Sequence, residues 1–135
     1  MGYITPTDFH ECVSRLRDFF LSRGYVEVHT QDRLSILAAC EDPTTVATFE
    51  YEGQIRPLPQ TWQMWLEYEL LTKPHLPWVF CLSTSYRQEK NPVPGRHETI
   101  FPMCEFESRW SLDDLKYMEK DLLDYMWFGK NNYHE

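Results

Sequence analysis

The chain has 135 residues, 42% of them hydrophobic and 16% aromatic, which suits one domain with a modest core and excludes a disordered chain. Its 13 Lys and Arg stand against 21 Asp and Glu, a formal net charge of -8, so general affinity for nucleic acid is not expected and any polyanion must be met by a local basic cluster. No apolar run approaches the ~20 residues of a membrane span, and MGYITPTDFHE lacks the pattern of a secretory leader.

In chain order, TPTDFHECVSRLRDFFLSRGY reads as a helix with Thr7 as its cap. Phe9, Cys12, Val13, Leu16, Phe19 and Phe20 recur at helical spacing, and Gly24 supplies the left-handed residue that ends it. YVEVHT alternates as a strand with Tyr25, Val26 and Val28 as its apolar part. RLSILAACEDPTTV reads as a surface loop, TFEYEG as a short strand ending at Gly53, and QIRPLP as extended chain. WQMWLEYELLTK is a second helix, capped by Thr61 and followed by Pro74. WVFCLSTSYR has the continuous apolar character of a buried strand. TIFPMCEFES returns after a loop, and Pro102 places it at an edge or a bulge. Ser111 caps a last helix, LDDLKYMEKDLLDYMWF, whose first turn carries Asp113 and Asp114 where they favour the dipole. Helices set apart from mainly antiparallel strands give α+β as the fold class. The four cysteines, Cys12, Cys40, Cys81 and Cys104, form no CxxC pair, so zinc and a disulfide framework are not expected and reduced buried thiols are. A cytoplasmic location is the default that follows. Trp62, Trp65 and Trp78 are expected in the core.

The densest chemistry lies in SYRQEKNPVPGRHETIFPMCEFE, residues 85–107. A strand arginine needs a carboxylate or a bound anion, so Arg87 is expected to meet one of the two. Glu89 shares its strand face. Arg96 and His97 sit on a loop shaped by Pro92, Pro94 and Gly95, and Phe101 offers a flat ring. One fixed guanidinium with mobile cations above it suits a polyphosphate. A hairpin of mutual salt bridges accounts for the same residues, and chemistry alone leaves both open.

The segment resembles motif 2 of the class II aminoacyl-tRNA synthetases, in particular their aspartate, asparagine and lysine subgroup. The pattern is aromatic-Arg-x-Glu, a variable loop, Arg-His, a Phe four residues on, then acidic residues closing the strand. Tyr86, Arg87, Glu89, Arg96, His97, Phe101, Glu105 and Glu107 fall in register with it. FFLSRGYVEVHTQDRL is similar to motif 1, with Gln31 in place of the family's proline. ACEDP is similar to a Cys-Glu-Gly stretch of the asparagine enzymes, with Asp42 where they have Gly. LPQTWQMWLE is like the Gln-Ser-x-Gln segment, and Leu66-Glu67 is nearer the asparagine than the aspartate enzymes. The likeness runs over about residues 9–128. It implies that residues 1–135 are one partial catalytic domain, with motif 1 at about 16–34 and motif 2 at about 85–107. The Gly-rich motif 3 is expected to be absent from the chain, and the anticodon-binding barrel has no room before Met1.

The resemblance implies ATP as a substrate and asparagine or aspartate as the amino acid. Arg87 would contact the α-phosphate, Glu89 the adenine side or Arg87 itself, Arg96 and His97 the β- and γ-phosphates, and Phe101 the adenine face. Glu41, Gln60 and Gln63 would surround the ammonium. Glu105 and Glu107 are expected near the metal or the ATP, with the main ligands of Mg2+ outside the chain. A homodimer through motif 1 is implied; tRNA is an allowed partner that the acidic chain does not support. Each role has a plain counterpart: an ion pair for Arg87, an exposed loop position for His97, core packing for Phe101, a solvent-facing position for Gln63, hydrogen bonds within the sheet for Glu105 and Glu107. Three functions stay open. They are an amino-acid-activating ligase, a tRNA-independent asparagine synthetase-like amide ligase, and a truncated, non-catalytic paralogue that binds ATP or a partner. The chain alone is expected to be weak or inactive in pyrophosphate exchange.

Overall fold

The computed structural model describes residues 4–30 and 42–126. The first helix, α1 (Pro6–Ser22), is capped by Thr5, whose hydroxyl accepts the Asp8 N–H at 3.1 Å. Thr7, the expected cap, lies two residues too late. Pro6 takes the first helical position, where its missing N–H costs nothing, and so fixes the start one residue before Thr7. At the other end the Gly24 N–H donates to Leu21 O and the Tyr25 N–H to Phe20 O. That pair of bonds is a Schellman cap, and it needs the left-handed φ of +83° at Gly24.

Strand β1 is only Val26–Glu27, shorter than the six-residue run suggested, although the Val28 N–H still donates to Phe80 O. A 3-10 turn at Pro43–Thr45 is followed by β2 (Thr48–Tyr51) and β3 (Gln54–Pro57), which form an antiparallel hairpin. Its two turn residues, Glu52 and Gly53, have φ of +52° and +72°, the pattern of a type I′ turn that matches strand twist. QIRPLP is therefore a paired strand in its first half rather than merely extended chain. Helix α2 (Gln63–Thr72), β4 (Trp78–Tyr86), β5 (Ile100–Ser108) and α3 (Leu112–Tyr125) complete the described chain. Ser111 caps α3 as expected, in a reciprocal capping box with Asp114.

The main sheet has the order β1-β4-β5, with β1 parallel and β5 antiparallel to β4. Pro102 sits in β5, an edge strand, where a missing N–H can face away from the ladder. The fold is α+β, a mainly antiparallel sheet flanked by helices. Side chains alternate across the sheet, so the register assigns two faces. One carries Phe80, Cys104 and Phe106, which pack with Phe19 and Phe20 of α1, Tyr25, and Met118 of α3. Phe20 stacks on Phe80 at 4.9 Å. The opposite face carries Val79 and Cys81 against Trp62, Leu66 and Leu70 at α2.

Helix α2 is held from below at both ends. The Trp62 N–H donates to the Glu105 carboxylate at 2.9 Å and the Thr61 hydroxyl donates to the same group. Thr61 also accepts the Gln63 N–H at 3.1 Å, so it serves the start of α2 without being the cap residue, which is Trp62. At the other end Arg109 donates to Leu76 O at 2.8 Å and to Leu70 O. A carboxylate at the positive end of the helix and a guanidinium at the negative end both oppose the dipole favourably. The four-residue step from Glu105 to Arg109 spans ~13 Å along a strand, close to the ~15 Å of a ten-residue helix.

The expectation of buried thiols is corrected at one position: Cys81 is buried and Cys104 half-buried, but Cys12 is exposed. Helical spacing placed Cys12 and Phe9 on the inward stripe. That part of α1 does not pack down on the sheet: a cavity of about 390 Å3 separates Phe9 and Cys12 from Leu82–Thr84 of β4 and Pro102–Cys104 of β5. Cys40 lies outside the described residues.

Candidate functional site

The face that carries α2 also carries the expected site. Continuing the alternation from Val79 and Cys81 puts Ser83, Ser85 and then Arg87 on it, opposite Met103, Phe101 and Thr99. The Arg87 N–H donates to Thr99 O at 2.8 Å, which carries the ladder one residue beyond β4 and fixes the base of the loop. The Arg87 guanidinium lies 5.6 Å from the centre of the Phe101 ring. Stacking of this kind holds the planar group while leaving its N–H edges free for an anion. Among the described residues Arg87 forms no ion pair, and neither do Arg96 and His97. In a chain with 21 acidic residues, two arginines and a histidine on one hairpin are thus without an ion pair among the described residues.

The loop is closed on itself by Val93. Its carbonyl accepts the N–H groups of Arg96 and His97 at 3.1 and 3.0 Å, and its N–H donates to His97 Nδ1 at 3.3 Å. Gly95, at a φ of +77°, permits the turn. With Nδ1 acting as acceptor, the ring proton sits on Nε2 in the neutral imidazole, so an outward donor remains available. Arg96 and His97 are exposed and Glu89 is half-buried.

The sequence-selected glutamines have defined work in this arrangement. Gln60 is 4% exposed; its Nε2 donates to Asp42 O at 3.1 Å and Thr45 Oγ1 at 2.9 Å, while its Oε1 accepts the Asp42 N–H at 3.2 Å. It pins the segment that begins one residue after Glu41, and Glu41 itself lies outside the described residues. The fully buried Ser85 donates to Gln60 O at 2.8 Å, tying the same segment to β4. Gln63 donates to Glu67 Oε1 at 3.0 Å. Both oxygens of Glu105 face the start of α2.

Glu107 is the perturbed carboxyl of this face. Burial pushes its carboxyl up to about 7, and the Glu67 and Glu105 charges push the same way. Glu67 was missed as a site residue; its signal was available, because it stands four residues after Gln63 on one helix face. Ser85 was missed too, and a serine inside an apolar strand run carries no signal beyond needing a partner. Among the described residues no three His, Cys, Asp or Glu side chains come together so as to hold a metal ion. The described residues therefore do not make a complete magnesium site.

The architecture is that of part of the class II aminoacyl-tRNA synthetase catalytic fold. More particularly, its structural neighbours are asparaginyl- and aspartyl-tRNA synthetases. Asparaginyl-tRNA synthetase of Pyrococcus horikoshii complexed with asparaginyl-adenylate matches 87% of the chain at 28% identity, with a TM-score of 0.76. Asparaginyl-tRNA synthetase of Entamoeba histolytica in complex with asparaginyl-adenylate matches 87% at 22% identity, with a TM-score of 0.72. A second structure of that enzyme covers 90% at 22% identity and a TM-score of 0.71. The chain spans only about a quarter of these proteins: 26%, 25% and 27% of their lengths. No family model matches the chain, and no curated protein does. Among the described residues no helix is long and apolar enough to cross a membrane.

Proposed function

We propose that the chain is a partial class II catalytic domain, motif 1 at about 16–34 and motif 2 at about 85–107, that binds ATP in the service of amino-acid activation. The observation that carries this is Arg87, stacked on Phe101 at 5.6 Å and unpaired among the described residues at the mouth of the β4–β5 hairpin. In the reaction, the carboxylate of asparagine or aspartate attacks the α-phosphorus in line, the bond to the bridging oxygen breaks, and pyrophosphate leaves. Arg87 donates to the α-phosphate as charge gathers there, a contribution of position and electrostatics rather than covalent chemistry. Phe101 holds the guanidinium and offers its ring to adenine, with Glu89 on the adenine side. Arg96 and His97 close over the β- and γ-phosphates, His97 through its Nε2–H.

Gln63 and Glu41 receive the ammonium, and Gln60 acts by fixing the turn next to Glu41. Asparagine or aspartate as the amino acid is supported by structural neighbours that include asparaginyl-tRNA synthetases complexed with asparaginyl-adenylate and a protein described as an aspartyl-tRNA synthetase. Pairing of two chains through α1 and a transfer step to tRNA belong to the same proposal. An amide ligase that makes asparagine from an aspartyl-adenylate and ammonia shares every step up to the adenylate.

Calorimetric titration of the chain with ATP tests the cradle. Saturable binding that falls at least ~10-fold in Arg87→Ala is expected, since a charge-assisted contact of this kind carries about 1.5–3 kcal/mol. Equal binding by the variant sinks the assignment of Arg87. Asparagine- or aspartate-dependent exchange of pyrophosphate into ATP then separates a catalytic chain from an ATP-binding module.

A further inference from the structure

Arg87 stands one residue past the end of β4, and the end of a strand is where a chain opens most readily. Three consecutive N–H groups hold it there, each on a different segment. The Tyr86 N–H donates to Pro59 O at 2.9 Å, the Arg87 N–H to Thr99 O at 2.8 Å and the Gln88 N–H to Thr45 O at 2.8 Å. Successive N–H groups of an extended chain point to opposite edges, so Arg87 is tied on the β5 side and its two neighbours on the other. Nearer the start of β4 that other edge belongs to β1, where the Val28 N–H donates to Phe80 O. Past the end of β1, Pro59 and then Thr45 take over the edge, and the Thr45 bond is the one that lies beyond Arg87.

Thr45 can hold that position because it is itself held. It is 8% exposed and is the last residue of the 3-10 turn Pro43–Thr45. Its N–H and its hydroxyl donate to Asp42 O at 3.0 and 3.1 Å, which closes the turn. Its other two bonds reach outside the turn: Oγ1 accepts Gln60 Nε2 at 2.9 Å, and the carbonyl accepts the Gln88 N–H. Gln60 O in turn accepts the Ser85 hydroxyl at 2.8 Å. A closed circuit thus runs from Gln88 through Thr45 and Gln60 back to Ser85, and Arg87 lies inside it. Ser85 is also the register partner of Phe101, the ring beside which the Arg87 guanidinium rests at 5.6 Å.

We infer that Thr45 is a positioning residue for Arg87, fixing where the guanidinium meets a phosphate by way of Gln88 on one side and Gln60 and Ser85 on the other. Its effect on binding rests on the ATP reading of Arg87, while its hold on the end of the strand does not. Thr45→Val keeps the shape and removes the hydroxyl; Thr45→Ser keeps the hydroxyl. Ser85→Ala opens the same circuit at its other end and serves as an independent variant, with circular dichroism confirming that each chain folds. NMR relaxation of the full chain without ATP is expected to show the Arg87 Nε–H order parameter falling by at least ~0.2 in Thr45→Val and Ser85→Ala, and holding in Thr45→Ser. Calorimetric titration with ATP is expected to show ~3–10-fold weaker binding by Thr45→Val than by the parent. With Arg87→Ala already present, Thr45→Val should cost no more than ~2-fold, because the placement of a missing guanidinium cannot be lost twice. A residue that only stabilised the fold would lower the melting temperature and leave both readings unchanged. An unaltered Arg87 order parameter in Thr45→Val and Ser85→Ala, an equal loss of ATP affinity with and without Arg87, or an equal loss in Thr45→Ser and Thr45→Val each overturn the inference. A parent chain that binds no ATP sinks the role given to Arg87 instead, and the order parameter then decides the hold of Thr45 by itself.

Discussion

Replacing Glu107 by Gln should make the protein more stable at pH 8 and leave it nearly unchanged at pH 4.5. In the folded chain Glu107 shares a sheet face with Glu105, opposite α2, which carries Glu67. Burial and those two charges raise its carboxyl from 4.5 to about 7. Between those values the folded state holds a proton that the unfolded state has lost. Stability therefore falls as pH rises through that window and levels off above about 7. The full displacement corresponds to ~3 kcal/mol at 1.36 kcal/mol per pH unit. Glu107 is only about half withdrawn from water, so solvent screening brings the expected effect to ~1–2 kcal/mol. Gln keeps the volume and removes the charge. Urea unfolding followed by circular dichroism at both pH values reads the difference, which should appear as a midpoint shift of ~1 M at pH 8. Other titrating groups cancel between parent and variant. A shift of equal size at both pH values, or a loss of stability at pH 8, refutes the burial and charge argument.

Gly24→Ala should cost ~1–2 kcal/mol in the same assay, because the cap needs φ of +83° and the added methyl meets the Trp78 ring at 3.4 Å. Glu105→Ala should cost ~1–3 kcal/mol by releasing the Trp62 N–H and the Thr61 hydroxyl from their shared acceptor; a neutral outcome contradicts its placement under α2. Iodoacetamide at pH 8 should label Cys12 readily and Cys81 and Cys104 only after unfolding. Burial raises both of those thiols to about 12, so mass spectrometry of the native chain that finds Cys81 modified as fast as Cys12 counts against the packing.

Local chemistry made much of the fold legible. The Gly24 stop, the Ser111 cap, the buried run of β4 and the edge position of Pro102 each follow from one residue's conformational or hydrogen-bonding limits, and those limits travel with the residue. The Thr7 cap was misplaced by two residues, because Thr5 also offers a hydroxyl and Pro6 at the first helical position chooses it; the Thr61 cap was misplaced by one, because α2 starts after Trp62 while the Thr61 hydroxyl still accepts the Gln63 N–H. The helical stripe of α1 showed which side faces inward, but not that Phe9 and Cys12 would line a cavity; periodicity defines a face without saying what covers it.

Within the site, the order of charged and aromatic residues between Arg87 and Phe101 was readable because motif spacing is a local property. What only the tertiary structure decided is how partners far apart in the chain divide those groups. Gln60 is claimed by Asp42 and Thr45, Glu105 by the start of α2, and Arg87 is left resting on Phe101 with its donors unpaired among the described residues. A hydrogen bond or an ion pair depends on distance in space, and a sheet register fixes that distance where sequence separation cannot.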